Sequence, residues 1–327
     1  MIIRFFKSNT ASAFFLLPFI AIAIWVFGFV APQPLTVNHA MPLYDLLAMP
    51  LAKIQWLSSL VALILVLAEA FILNYIVNEN EVLTKKTNLT ALFYLVFMSN
   101  NNAMLELHPL IFSNLFLLFA LSKIFNSYRK DTAFSQFFDT GLLISIASLF
   151  YFPCIVFFPV IGISLIIFRP FNWREWAISF VGVLVPYIFV FTWYFWNNQL
   201  QSLFFDKFIF PMGFKRPSFD LSQSFYFLIT VGWIIVILSF GKLFSGLGSG
   251  AQKTKKAITL TLWLFLFSIL SLFLAPAVST VYFSLLAIPA AIICSNYFLK
   301  QKKELWGEIL FLLLLVGIFT DLIATIF

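Results

Sequence analysis

Residues 54–77 read IQWLSSLVALILVLAEAFILNYIV, an apolar run whose only acid is Glu69. At about 1.5 Å per residue, a helix of this length crosses the roughly 30 Å hydrocarbon core of a bilayer. Similar runs recur along the whole chain, which is 62% hydrophobic and only 10% charged over 327 residues. Because about a quarter of the residues in soluble proteins are charged, the sequence predicts an all-α, polytopic transmembrane helical bundle.

Short polar breaks divide the apolar sequence into about eleven spans. They are predicted at residues 10–31, 54–77, 88–99, 110–126, 137–152, 154–168, 175–196, 222–240, 258–274, 280–298 and 305–326. The four segments within 88–126 and 137–168 are shorter than an ordinary span, which predicts paired, tilted or partly re-entrant helices. Pro109 and Pro153 are predicted to mark the turns between these segments, because proline has no amide hydrogen to continue a helix.

The basic residues favour a cytoplasmic N-terminus. With that orientation, 16 of the 20 Lys and Arg residues lie in inner loops, and only Lys53, Lys207, Lys215 and Arg216 lie outside. Lys and Arg concentrate in short cytoplasmic loops, so the distribution supports an odd number of spans. Contact between these loops and anionic lipid also accounts for the net charge of +7, and no nucleic-acid partner is predicted. We expect a multi-pass protein of the inner membrane, surrounded by membrane lipid.

A stretch rich in Gly, Ser and Lys at 241–257 is predicted to be a cytoplasmic linker loop. It divides an N-terminal membrane bundle at 1–240, with about eight spans, from C-terminal membrane helices at 258–327, with about three. The two histidines and two cysteines lack the spacing of a metal site. No metal and no cofactor are therefore predicted.

Charged residues in the outer loops are the candidates for chemistry. The predicted catalytic residues are Asp45 in the first outer loop and Glu106 and His108 in the second, since carboxylates and imidazoles transfer protons. The first two outer loops are expected to meet. The predicted substrate-binding residues lie in the third loop and are Lys207, Lys215 and Arg216, which suit a phosphate. The structural alternative is that these side chains cap helices, satisfy loop backbone and anchor lipid headgroups.

Glu69 is predicted to be an acid within the hydrocarbon region. Ionisable residues are costly there, and such a residue is a functional hypothesis by default. One interpretation is a proton relay in a transporter. The other is a protonated side chain that hydrogen-bonds to a neighbouring helix through Asn74 or Asn114.

Several short motifs accompany these features: Arg4-Phe5-Phe6 with Asn9, Leu43-Tyr44-Asp45, His108-Pro109-Leu110, Asn114-Leu115-Phe116, Phe138-Asp139 and Ser148-Leu149-Phe150-Tyr151-Phe152-Pro153. On these motifs the whole chain resembles an uncharacterised family of multi-pass inner-membrane proteins of the Bacteroidota, a domain of unknown function. In architecture it is also similar to membrane glycosyltransferases that use polyprenyl-phosphate-linked sugars. These enzymes carry a catalytic acid in the first outer loop, and the similarity implies that role for Asp45. Their neighbouring acidic pair is absent here.

Three functions remain open. The preferred interpretation is a subunit or scaffold in cell-envelope biogenesis, with protein subunits of an envelope assembly as partners. The second is a glycosyltransferase with an outer-face active site and a polyprenyl-phosphate lipid carrier. The third is a transporter, for which Glu69 and the short helices at 88–126 and 137–168 are the relevant features.

Overall fold

The computed structural model of the protein describes residues 2–31, 41–51, 54–202, 207–208, 223–246, 251–274, 279–301 and 304–324. The α-helices among them are α1 (Ile2–Lys7), α2 (Ala11–Val30), α3 (Pro42–Leu51), α4 (Gln55–Glu79), α5 (Leu89–Met98), α6 (Pro109–Phe125), α7 (Phe134–Phe150), α8 (Phe158–Phe168), α9 (Trp173–Trp196), α10 (Leu200–Ser202), α11 (Gln223–Gly246), α12 (Gln252–Phe273), α13 (Ala287–Lys300) and α14 (Glu304–Ala324). Short 3₁₀ helices at Asn102–Met104, Phe152–Phe157 and Thr280–Leu286 precede α6, α8 and α13.

Seven described segments are long and apolar enough to cross a bilayer. They are α2, α4, α9, α11, α12, α14 and Thr280–Lys300, which joins a 3₁₀ helix to α13. Four shorter apolar segments, Leu89–Met98, Pro109–Phe125, Phe134–Phe150 and Phe152–Phe168, occupy the places of the predicted short spans. The prediction of an all-helical, polytopic membrane bundle with about eleven such segments is confirmed. We call the side that carries α3 and residues 99–108 the outer face, following the predicted orientation.

Two prolines begin helical segments where turns were predicted. Pro109 is the first residue of α6, and Pro153 lies in the first turn of the 3₁₀ helix that leads into α8. Proline suits these places because the first amides of a helix have no partner within it. The connections before α6 and α8 therefore form as expected.

Small residues allow α7 and α9 to pack closely. A Cβ added at Gly141 would lie 2.2 Å from the Ser179 carbonyl oxygen, and one added at Gly182 would lie 2.3 Å from that of Phe138. Neither distance is possible for a real carbon atom, so both positions require glycine. Close backbone approach through small residues is typical of helices that associate in membranes.

One continuous apolar core connects the two predicted membrane regions. α5 is buried over almost its whole length and packs against α13, and α11 packs against α13 and α14. The ring centroids of Phe93 in α5 and Phe298 in α13 lie 4.8 Å apart. α11 ends at Gly246 and α12 begins at Gln252, so both helices extend into the linker predicted at 241–257.

An ion pair on the inner face ties the start of α9 to the α6–α7 connection. Arg169 lies 2.9 Å from Glu175, and their side chains are 5% and 0% exposed. The Arg169 guanidinium also donates to the carbonyl oxygens of Lys130 and Asp131, at 2.6 and 3.0 Å. Glu175 accepts a hydrogen bond from the Ala133 amide at 3.3 Å. This hydrogen bonding stabilises two buried charges that would otherwise be costly.

Large apolar side chains cover much of the outside of the bundle. On α9, Phe189, Trp193 and Trp196 are 72%, 70% and 83% exposed. Monomeric soluble proteins rarely expose contiguous apolar surface of this kind. The surface is suited to the hydrocarbon of a bilayer, in agreement with the lengths of the long helices.

Candidate functional site

Tyr44 attaches α3 to the second outer loop. It is fully buried, and its hydroxyl donates a hydrogen bond of 2.6 Å to the carbonyl oxygen of Leu107. Its ring packs edge-on against Phe112 of α6, with centroids 6.3 Å apart, and also contacts the Phe150 cluster of α7. The first two outer loops therefore meet, as expected from the sequence, and Asp45 directly follows the residue that joins them.

Asp45 forms an ion pair with a residue of the third outer loop. The Lys207 ammonium donates a hydrogen bond of 2.6 Å to Asp45 Oδ2, and the two side chains are 27% and 20% exposed. Asp45 Oδ1 is buried and has no hydrogen-bond partner among the described residues. The pair therefore holds a buried carboxylate oxygen without a hydrogen-bond partner beside a cation, and such groups can accept a proton and contact an anion.

An aromatic cluster positions Lys207 through its neighbour Phe208. Phe208 is buried, and its ring centroid lies 5.1 Å from that of Phe152 and 5.7 Å from that of Phe191 in α9. Met41, which begins the α3 region, belongs to the same cluster. Aromatic packing of this kind holds a chain segment through large buried area. It brings the ammonium and the carboxylate to the same place on the outer face.

Glu106 and His108 are both buried in the second outer loop. Burial raises the pKa of Glu106 to about 7 and lowers the pKa of His108 to about 3. Both ring nitrogens of His108 lack hydrogen-bond partners within the described ranges, so the two side chains do not form a hydrogen-bonded acid–imidazole pair. With this pKa, Glu106 has both protonation states at neutral pH, and His108 is a neutral imidazole.

Tyr44 lies within the electric field of two carboxylates. Burial raises the pKa of its phenol, and the charges of Glu106 and Asp45 raise it further. The structure thus places Asp45 and Glu106 near one buried tyrosine, and Lys207 contacts Asp45. Tyr44 is not among the predicted site residues, although its place beside Asp45 in an apolar stretch is a signal for it.

The other two predicted phosphate-binding residues, Lys215 and Arg216, lie outside the described residues. His39 lies outside them as well. Where the structure is described, no group of three or more His, Cys, Asp or Glu side chains could hold a metal ion. The described part of the site thus consists of Asp45, Lys207 and the second outer loop.

Glu69 lies near the middle of α4 and is fully buried. The Tyr94 hydroxyl of α5 donates a hydrogen bond of 2.8 Å to Glu69 Oε2. The expected amide partners bond elsewhere: Asn74 donates to Asn88 Oδ1 at 3.1 Å, and Asn114 donates to the Ser284 carbonyl oxygen at 3.1 Å. The side-chain partner is a tyrosine, which the sequence did not single out.

Asn101 links the second outer loop to the end of α14. Its amide donates a hydrogen bond of 2.6 Å to Oδ2 of Asp321, which is fully buried. In the neighbouring residues, Asn100 Oδ1 and both polar atoms of the Asn102 side chain are buried without partners in the described structure. The Asn100-Asn101-Asn102 run therefore places amide groups where a polar ligand atom or water could bind.

Residues 41–326 match a family described as a family of unknown function, DUF6427. The chain belongs to this family. This agrees with the resemblance to an uncharacterised family of membrane proteins. The match begins at Met41 and includes both α3 and the second outer loop. No curated protein matches the chain.

Among solved structures, this DUF6427 member is similar to the crystal structure of ArnT from Cupriavidus metallidurans bound to undecaprenyl phosphate. The TM-score is 0.59 at 14% sequence identity, over 91% of this chain and 62% of the ArnT chain. The chain thus spans less than two thirds of the length of ArnT. At this identity the similarity shows the fold alone, that of a multi-pass membrane protein.

Proposed function

We propose that the protein is an inner-membrane glycosyltransferase of cell-envelope biogenesis that uses a polyprenyl-phosphate-linked sugar at its outer face. The observation that carries the proposal is the Asp45–Lys207 pair, which holds a carboxylate with an unpartnered oxygen beside an ammonium group. The similarity in fold to a structure that contains undecaprenyl phosphate supports the proposal.

In the proposed reaction, Asp45 is the general base. Its Oδ1 accepts the proton of an acceptor hydroxyl as that oxygen attacks the anomeric carbon of the sugar. The bond from the anomeric carbon to the phosphate oxygen breaks, and polyprenyl phosphate leaves with the bonding electrons. Lys207, which contacts Asp45, is proposed to stabilise the developing negative charge, as a preorganised cation does. Lys215 and Arg216 are proposed as further phosphate contacts.

Glu106 is proposed to assist this site as a proton-exchanging group. It is buried beside Tyr44, and its raised pKa allows both protonation states near neutrality. Tyr44 holds α3 against the loop that carries Glu106. His108 is proposed to shape the site as a neutral side chain, because its lowered pKa excludes it as an acid at neutral pH.

The test is transfer by the purified protein in lipid nanodiscs. A polyprenyl-phosphate-linked radioactive hexose and an extract of envelope glycans as acceptor would be supplied, and released polyprenyl phosphate would be measured. Asp45→Asn should abolish release while the protein remains monodisperse. Asp139→Asn is a matched control, because Asp139 pairs with Lys123 at 2.7 Å on the opposite, inner face. Full activity of Asp45→Asn would refute the proposed mechanism.

A subunit or scaffold role in an envelope assembly is the alternative proposal. It requires no chemistry at Asp45, and it predicts a stable protein partner after purification in mild detergent. The transporter hypothesis depends instead on Glu69, whose Tyr94 partner offers a hydroxyl for proton exchange. Glu69→Gln should then stop proton-coupled uptake, whereas the transferase hypothesis predicts normal transfer in this variant.

A further inference from the structure

Two cations from separate parts of the chain converge on Tyr128, in the turn that follows α6. The guanidinium carbon of Arg129, in the same turn, lies 5.4 Å from the centroid of the Tyr128 ring. The ammonium nitrogen of Lys256, near the start of α12, lies 5.7 Å from the same centroid. Cations are attracted to the face of an aromatic ring, so one tyrosine holds both side chains. We call these three residues the Tyr128 cluster.

Acids neutralise several of the basic residues near this cluster. The ion pairs described there are Lys123–Asp139, Arg169–Glu175 and Lys253–Glu81. Arg129 and Lys256, by contrast, form no ion pair with any acid in the described ranges. Two like charges held at one ring repel each other, and an anion bound between them offsets that repulsion. The cluster therefore has the charge of an anion-binding site.

The turn that carries Arg129 is held in place by the buried side chain of Arg169. The guanidinium donates hydrogen bonds to the carbonyl oxygens of Ser127, Lys130 and Asp131, at 3.3, 2.6 and 3.0 Å. Arg129 lies within this turn with a φ of 59°, in the left-handed region that residues with a Cβ seldom adopt. The backbone at Arg129 is therefore fixed before any ligand binds, which lowers the entropic cost of binding.

The cluster lies at the level where an apolar helix meets the inner surface of the membrane, in the predicted orientation. The Tyr128 ring packs edge-on against Phe168, with centroids 5.7 Å apart. Phe168 is the last residue of α8, which contains no charged residue, and Arg169 follows it directly. A few positions later, Phe171 and Trp173 are largely exposed. Tyrosine and tryptophan concentrate at the headgroup level of a bilayer, where the phosphates of anionic lipids are the nearest anions.

We propose that the Tyr128 cluster binds the phosphate of an anionic phospholipid headgroup in the inner leaflet. The Arg129 guanidinium offers paired donors to two phosphate oxygens, and the Lys256 ammonium adds a second positive charge. The site lies on the face opposite the Asp45–Lys207 pair, and it does not depend on the proposed transferase function.

The test measures lipid binding by the full-length protein in a neutral detergent. Radiolabelled phosphatidylglycerol is the ligand, with phosphatidylcholine and inorganic phosphate as competitors. Combining Arg129→Gln with Lys256→Gln removes both cations of the cluster. Combining Lys85→Gln with Lys86→Gln is the charge-matched control, because these lysines lie between α4 and α5 on the same inner face.

Loss of both cations should weaken binding of phosphatidylglycerol by roughly tenfold or more, whereas the control should bind within roughly twofold of the parent protein. Phosphatidylcholine should compete poorly, because its choline group cancels the charge of its phosphate. Inorganic phosphate should not compete, since it has no acyl chains to hold it at the membrane surface. Equal weakening in the two double variants would overturn the proposal, and so would displacement of the lipid by inorganic phosphate.

A glycine variant separates the binding site from the stability of the turn. Arg129→Gly removes the guanidinium, and glycine adopts the left-handed backbone without steric cost. This variant should elute as a monodisperse protein with the thermal midpoint of the parent, and it should bind phosphatidylglycerol several-fold more weakly. Normal lipid binding in Arg129→Gly would contradict a role for its charge.

The tyrosine ring can be tested in the same way. Tyr128→Phe keeps the aromatic face and should bind phosphatidylglycerol like the parent protein. Tyr128→Leu removes the face that both cations contact, and it should weaken binding by roughly threefold. Equal binding by these two variants would show that the ring does not position the cations.

Discussion

Lys207 donates a hydrogen bond of 2.6 Å to Asp45, which lies 162 positions earlier in the chain. The contact joins the third outer loop to the helix that follows the first span. Both side chains remain partly exposed, at 27% and 20%. Partly exposed pairs of this kind contribute about 0–1 kcal/mol to stability. The pair therefore serves to place two charges together more than to hold the fold.

Replacing Lys207 should affect activity far more than stability. Lys207→Met removes the cation proposed to meet the leaving phosphate, and we expect transfer to fall by roughly 10²–10³-fold. The free energy of unfolding should change by no more than about 1 kcal/mol. Lys123→Met, which breaks the inner-face pair with Asp139, is the control and should retain transfer. Equal losses of activity in the two variants would argue against a role for Lys207 in transfer.

Stability should decrease as the pH rises through the titration of Glu106. Its pKa is about 7 in the folded protein against 4.5 as the ordinary value, so the folded state keeps a proton that the unfolded state has lost. The contribution of protonated Glu106 is complete below pH 4.5 and is lost as the pH rises to about 7, at a cost of at most about 3 kcal/mol. Glu106→Gln should flatten this part of the profile. Thermal midpoints between pH 4.5 and 8 would test it, and a variant profile parallel to that of the parent would contradict it.

The titration of His108 should affect stability in the opposite direction, so that stability falls as the pH decreases. Its pKa of about 3 lies below the ordinary 6.5, so the unfolded state gains a proton that the buried imidazole does not accept. Below pH 6.5 the folded state should lose about 1.4 kcal/mol per pH unit. His108→Phe should remove this loss between pH 5 and 6.5. Denaturation at fixed pH values checks the slope, and an unchanged acid sensitivity would show that another group is responsible.

The fold could be predicted because each span can be recognised from the hydropathy of its own residues. Residues 54–77 form an apolar run that is recognisable without any knowledge of the other spans, and the helix found there is Gln55–Glu79. Packing between spans left no such local signal. Gly141 and Gly182 face backbone of the opposite helix, and this requirement becomes visible only once α7 and α9 are adjacent. A single sequence contains the glycines but not their neighbours.

The candidate site was predictable only as a set of outer-loop residues. Charges are rare in this chain, which makes Asp45, Glu106 and Lys207 candidates; the structure places Asp45 and Glu106 near Tyr44 and Lys207 in contact with Asp45. Nothing in the sequence distinguishes Tyr44 from other tyrosines. Its role follows from the hydrogen bond that its buried hydroxyl donates to the carbonyl oxygen of Leu107. The partner of Glu69 was missed for a similar reason. Tyr94 lies in another helix and is indistinguishable in sequence from a lipid-facing tyrosine.

The inner-face pair of Arg169 and Glu175 should be the ion pair on which stability depends most among those described. The side chains are 5% and 0% exposed, so Arg169→Met leaves a buried carboxylate without its cation. Removing one partner of a buried pair costs about 3–5 kcal/mol, against about 0–1 kcal/mol for an exposed pair. We therefore expect a large fall in thermal midpoint for Arg169→Met and a small one for Lys123→Met, whose pair is 44% and 34% exposed.

Adding Glu175→Gln to Arg169→Met should recover part of the loss, because the uncompensated charge is then absent. If the double variant is no more stable than Arg169→Met alone, the hydrogen bonds from Arg169 to the Lys130 and Asp131 carbonyl oxygens hold this region, and the charge of Glu175 does not.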